Sequence, residues 1–146
     1  LQVTVDSSII PANTLENIGD YIRITYTIRT DITDGPVPNG TILHGAFIGS
    51  ESISRGTSTT PYEYAQHTIE MSYKGLNSVF VSSSSYAIQN VTGNNIAPTN
   101  ALVNPNVTFN PGVDNTLDFS VTYALFSPEL DGEVYLENLK IEKLRI

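Results

Sequence analysis

The chain has 146 residues and sets 7 Lys and Arg against 15 Asp and Glu, a formal charge of −8. Such an acidic surface repels phosphate backbones and anionic lipid headgroups, so nucleic acid and the membrane surface are excluded as expected partners. With no cysteine, disulfides, zinc–thiolate centres and thiol nucleophiles are excluded as well.

Charged residues make up only 15% of the chain, where about a quarter is usual. Ser, Thr and Asn carry the polarity instead, a style that suits surfaces exposed outside cells. The length fits one domain, residues 1–146, large enough to bury a core without staples. No run of eighteen apolar residues predicts a membrane span. The opening LQVTVDSS has neither the basic nor the apolar region of a signal peptide.

In chain order, "IPANTL" at Ile10 to Leu15 is a turn, followed by a polar pause and Gly19-Asp20. Pro11 fixes φ and has no N–H, so it ends strand pairing. Asn13 and Thr14 suit a tight turn by bonding their own backbone, and Gly19 permits a backbone angle that branched residues resist. From Asp20 to Thr30, Ile22, Ile24, Tyr26 and Ile28 fall on one face and Tyr21, Arg23, Thr25, Thr27 and Arg29 on the other. That period of two predicts a half-buried strand. Further strands are predicted over Thr41 to Ile48, His67 to Tyr73, Asn77 to Ser83, Tyr86 to Thr92 and Asn115 to Phe126.

Between them lie breaker-rich loops. They are "TDGPVPNG" at Thr33 to Gly40, "GTSTTP" at Gly56 to Pro61 and "TGNNIAPTNALVNP" at Thr92 to Pro105. A helical turn around Pro61 to Gln66 is the one exception to the two-residue period. "SPELDGE" at Ser127 to Glu133 predicts the last hairpin. In the closing segment Val134 and Leu136 alternate, the phase slips at Glu137-Asn138, and Leu139 and Ile141 resume. A slip of one residue predicts a β-bulge. The class is all-β: a jelly-roll β-sandwich of about eight to ten antiparallel strands.

Residues for chemistry are sparse. His44 and His67 each sit among hydrophobic residues of a predicted strand and read as polar core residues satisfied by hydrogen bonds. No HxH or HExxH spacing makes them a metal pair. Gly49-Ser50 lacks the second glycine of a nucleophile elbow. Asp31 and Asp34, and Glu129, Asp131 and Glu133, crowd predicted turns. There they shape the loop, with calcium as the sharper alternative, although neither stretch completes a calcium-loop pattern. No catalytic residue, metal or cofactor is expected. Tyr62 and Tyr64 beside Pro61 and Asn94, Asn95 and Asn100 in the long polar loop are candidate ligand-facing residues, since flat, polar-tipped tyrosines suit sugars or protein partners.

Two stretches carry a resemblance. Ser8, Ile10, Pro11, Ala12, Asn13, Thr14 and Leu15, then Gly19, Asp20, Ile22, Arg23 and Ile24, resemble the start of head domains on tailed-phage fibres and other virion appendages. "VDNTLDFSVTYALFSPEL" and "LKIEKL" resemble their ends. Where such heads have Trp in "W-x-x-E", this chain reads "HTIEM". The resemblance implies a jelly-roll head, often a homotrimer like those of tumour necrosis factor, with virion proteins or a host-surface glycan or receptor as partners. Localisation would be the virion, and the protein would act by binding. In such a trimer Arg23 would lie at the subunit interface with Asp118 as its acidic partner. The alternative is a carbohydrate-binding module of a secreted bacterial protein, built on the same sandwich class.

Overall fold

The structure is a computed structural model, and it describes residues 2–32, 42–58, 62–89, 95–96, 100–123 and 132–144. Those residues form ten strands: β1 (Gln2–Ile10), β2 (Tyr21–Ile32), β3 (Ile42–Ile48), β4 (Glu51–Ser58), β5 (Tyr62–Gly75), β6 (Ser78–Gln89), β7 (Asn95–Ile96), β8 (Asn100–Thr108), β9 (Asn115–Tyr123) and β10 (Gly132–Leu144). One sheet has the order β1-β9-β3-β4. The other has the order β10-β2-β5-β6-β7, with β8 also paired to β6. Every pairing is antiparallel. Among the described residues the two sheets enclose a single cluster of buried hydrophobic residues, and the architecture is an all-β sandwich.

The alternation read from the sequence sets the faces. Ile22, Ile24, Tyr26 and Ile28 of β2 are at most 1% exposed, while the residues between them are half-buried on the outer face. Ile69 and Met71 of β5, Val79 and Val81 of β6, and Leu117, Phe119 and Val121 of β9 complete the interior. The slip in the last strand is a bulge. The β10–β2 register shifts between Glu137 and Lys140, and Asn138 takes φ 56°. The bulge brings both Leu136 and Ile141, five residues apart, opposite the inward-facing Ile28 and Ile24.

The opening turn carries the chain from one sheet to the other. β1 stops at Ile10, directly before Pro11. Asn13 adopts φ 66° and its N–H donates to the carbonyl of Pro111, while Thr14 donates its hydroxyl and its N–H to the carbonyl of Pro11. Leu15 then drops into the core at 0% exposure. Gly19, at φ 92°, lets the chain turn back onto β5, where its N–H donates to the Tyr73 carbonyl. The Asp20 carboxylate accepts the N–H groups of Asn17 and Glu16, and these bonds hold its pKa below the usual carboxylate value.

Several expectations change. Residues 2–10 and 51–58 carried no strand assignment, yet they form β1 and β4. Asn77 to Ser83 and Tyr86 to Thr92 were expected as two strands, but β6 runs unbroken through the serines. Ser83 and Ser85 face inward and are buried, so serine here occupies interior positions rather than a turn. The segment Tyr62 to Gln66, expected as a loop or a helical turn, is the start of β5. Within the expected loop Thr92 to Pro105 lie β7 and the first residues of β8. The inward positions of β8 include Asn100 and Asn104, which hid its alternation. Pro105 falls where the β6–β8 register shifts, a place where a residue without an N–H is tolerated. The loop Thr33 to Gly40 and most of the hairpin Ser127 to Glu133 lie outside the described residues, as do Asp34, Glu129 and Asp131.

Candidate functional site

Two features stand apart from an ordinary sandwich core, and they share a wall. The first is a polar chain inside it. Nδ1 of His44 on β3 lies 2.7 Å from Nε2 of His67 on β5, and Nδ1 of His67 is hydrogen-bonded to Oγ of Ser54 on β4. All three residues are at most 3% exposed. Tyr26 stacks flat on the His67 ring, with centroids 4.6 Å apart and planes 7° apart, and Phe119 meets Tyr26 edge-on at 4.8 Å. Burial pushes His44 down to about 4 and His67 well below the ordinary histidine value, the neighbouring His44 adding to the second shift. Both rings are therefore neutral near pH 7, and one proton between them makes the bond.

The sequence explains how the rings fit. Gly56 lies opposite His44 in the β3–β4 register. A Cβ at Gly56 would come 2.4 Å from Cε1 of His44 and 2.7 Å from Oγ of Ser85, so only glycine leaves room for the ring. Ser85 donates its hydroxyl to the carbonyl of Arg55, which ties β6 of one sheet to β4 of the other.

The second feature is a cavity of about 430 Å³ lined by residues of β3, β4 and β9, with Asn100 of β8. Its lining includes Leu43 and Phe47, the hydroxyls of Ser52, Ser120 and Thr122, and the exposed Arg55. Gly45 is opposite both Ser120 and Arg55 in register. On this outward row of the small sheet Gly45 has no side chain to fill the hollow between Leu43 and Phe47. A Cβ there would lie 2.3 Å from the Ser54 carbonyl oxygen, because β4 bulges between Ser52 and Ser54. The same bulge sends the Ser54 hydroxyl inward to His67. His44 and Ser54 belong to the cavity wall as well as to the buried chain.

Chemically the two features differ. A serine, a histidine and a third group orienting the histidine make the outline of a nucleophilic relay. Here Ser54 and His67 are both 0% exposed between packed sheets, and the chain acts as a buried cross-link among β3, β4 and β5. The cavity opens outward and combines apolar walls with a few polar groups, the make-up of a small-ligand site.

The residues singled out in the sequence are scattered. Arg23 lies on the outer face of the large sheet, where its Nη2 is 3.3 Å from Glu70 Oε1. Asp118 lies on the outer face of the small sheet and accepts the Ser7 hydroxyl at 2.6 Å. Within one chain these two residues do not meet, because they belong to opposite faces of the sandwich. Tyr62 and Tyr64 are in β5 rather than a loop, and Tyr64 is 37% exposed beside Arg29 on the large sheet. Asn95 pairs with Gln89 in the short β7, and Asn94 is outside the described residues. Asn100, the first residue of β8, reaches the cavity.

Leu43, Phe47, Ser52, Arg55, Ser120 and Thr122 were not anticipated. The available signal was glycine inside strands: "HGAF" and "SRG" place Gly45 and Gly56 where a strand prefers a side chain, and such glycines mark a close approach or a hollow. The histidines were read singly, although the structure pairs them. Compared with known proteins, the chain matches no protein-family model and no curated protein sequence.

Proposed function

We propose that this chain is the jelly-roll-type head domain of a virion appendage, on a phage fibre or as a decoration of capsid or tail, and that it acts by binding rather than catalysis. The observation that carries the binding reading is the outward-facing cavity over Gly45, with apolar walls at Leu43 and Phe47 and hydroxyls and Arg55 around them. The partner would be another virion protein or a host-surface glycan or receptor. The virion assignment rests on the resemblance of the "IPANTL" to "GDYIRI" stretch and of the "DNTLDF" stretch.

The head would be a homotrimer. In a ring of three, each contact joins one face of a subunit to a different face of the next. That Arg23 and Asp118 lie on opposite faces of the sandwich supports the reading of a contact of this kind. Light scattering of the isolated chain tests this part, with a mass of three chains expected. Binding to host cell-surface preparations that is lost in Leu43→Ala, with the fold intact by circular dichroism, tests the cavity.

The second reading is a carbohydrate-binding module of a secreted protein. The same mixture of apolar walls and hydroxyls favours it, since a sugar ring presents a C–H face and an edge of hydroxyls. A monomer with affinity for a soluble polysaccharide would decide for the module, and a trimer that binds the intact host surface for the virion head.

A further inference from the structure

We infer that the cavity over Gly45 takes a saccharide unit bearing a carboxylate, recognised by Arg55. This inference rests on the reading of that cavity as the contact site and adds its ligand class. The argument starts from charge. The chain carries −8 overall, and its described cations are otherwise occupied. Arg23 pairs with Glu70, Arg29 with Glu137, Lys140 with Glu142 and Lys143 with Asp20. Lys74 donates to the Pro105 carbonyl and to Asn106 Oδ1. The guanidinium of Arg55 has no ion-pair or hydrogen-bond partner among the described residues. In an acidic protein whose other described cations are matched, an unmatched arginine at a cavity is the place where an anion is drawn in.

The rest of the lining narrows the anion. A guanidinium offers a planar fork of donors that fits a carboxylate at two points. Thr122 supplies a hydroxyl that both donates and accepts, and the Ser52 hydroxyl, which donates to the Ser54 carbonyl, can still accept, which suits hydroxyls at fixed spacing on a ring. Leu43, 41% exposed, and Phe47 flank the hollow with apolar surface for the C–H face of that ring. The nearest acid in register, Asp118 opposite Phe47, is engaged by the Ser7 hydroxyl. At about 430 Å³ the space is within the range of small-ligand sites.

The test is an NMR titration of the intact chain with paired oligosaccharides: tri-galacturonate, a glucuronate-containing trisaccharide and 3′-sialyllactose, each beside its methyl ester. At least one acid is expected to shift the amides of Gly45, Ser120 and Thr122 and to bind at least ten-fold more tightly than its ester. Arg55→Gln should erase that preference while leaving distant amides unmoved, and Arg55→Lys should keep part of it. If acid and ester bind alike at these amides, the cavity stands as a contact site and the carboxylate preference is overturned. If no oligosaccharide moves them, both the ligand class and the sugar-binding use of the cavity are overturned. If inorganic phosphate alone moves them as strongly as the sugar acids, or if Arg55→Gln retains the preference, the inference is overturned too.

Discussion

The same two sheets enclose both ends of the interior, but the two ends are made differently. At one end Ile10, Leu15, Ile22, Met71, Val79 and Phe109 fill the space with hydrocarbon and an aromatic ring, each at most 1% exposed. At the other, Tyr26, His44, Ser54, His67 and Ser85 place rings and hydroxyls where side chains of similar size would normally be apolar. The apolar end contributes stability through area removed from water, which does not depend on pH. The polar end contributes only while His44, His67, Ser54 and Ser85 keep their partners and both imidazoles stay neutral. It also specifies the pairing, because a register slip of one residue in β3 or β5 would turn His44 or His67 to the outside.

The largest expected effect of a single substitution is at the apolar end. Leu15→Ala should destabilise the domain by about 2–5 kcal/mol through lost burial and the cavity left behind. The loss should be the same at pH 7.5 and pH 5.5 in urea unfolding. A cost that changes between those two pH values would mean that the two ends are energetically coupled.

Acidification should act on the other end. The unfolded histidines take up protons as pH falls through about 6.5, whereas His44 in the folded state resists down to about 4 and His67 is also held low. The unfolded chain therefore binds more protons in this window, and stability falls as pH falls. The slope is about 1.4 kcal/mol per pH unit for one histidine and about twice that for two, so His44 alone removes roughly 3 kcal/mol between pH 6.5 and 4. Urea midpoints measured from pH 7.5 to 4.5 check this. A flat profile down to pH 5 would contradict the buried neutral pair.

Ser54→Ala should cost less, about 1–3 kcal/mol, because it leaves Nδ1 of His67 buried without its hydroxyl partner. Its outer surroundings at Gly45 should be unaffected, since the Ser54 carbonyl rather than the hydroxyl approaches that side. Unfolding at pH 7.5 measures the first statement, and the Gly45 and Ser120 amide shifts measure the second.

The sequence declared part of the apolar end and concealed the polar one. Period-two runs such as Ile22 to Ile28 and Phe119 to Val121 state which face is buried, and the slip at Asn138 states where β10 bulges. Serines, histidines and asparagines give no such statement. β6 was split at Ser83–Ser85 because serine favours turns locally, although here it lies under a sheet. His44 and His67 are twenty-three residues apart, and only the pairing of β3, β4, β9 and β5 into two facing sheets brings them within bonding distance. The cavity was hidden for the same reason. Its walls come from three strands of one sheet and the first residue of β8, and its floor is marked by glycine, a residue without a side chain to betray it.

The smallest effect is expected on the outer faces, and it separates fold from assembly. Across the large sheet Arg23 is in register with Glu70 on one side and Glu142 on the other. This is why a charge is tolerated inside the first long strand: neighbouring strands supply opposite charges. The Arg23 and Glu70 side chains are 40% and 43% exposed, so water and salt screen the pair, and such pairs contribute about 0–1 kcal/mol. Arg23→Ala should therefore change the unfolding free energy of the dilute, separated chain by less than about 1 kcal/mol. In the proposed ring of three the same residue would lie against the next subunit. Its removal should then lower the mass measured by light scattering toward one chain and make the melting temperature depend on protein concentration. Asp118→Asn should act in the same direction, and the double change should cost less than the sum of the two single ones. An Arg23→Ala variant that keeps the parent's mass and melting at every concentration removes Arg23 from any interface, leaving it with the role the single chain already gives it, a surface charge matched to Glu70.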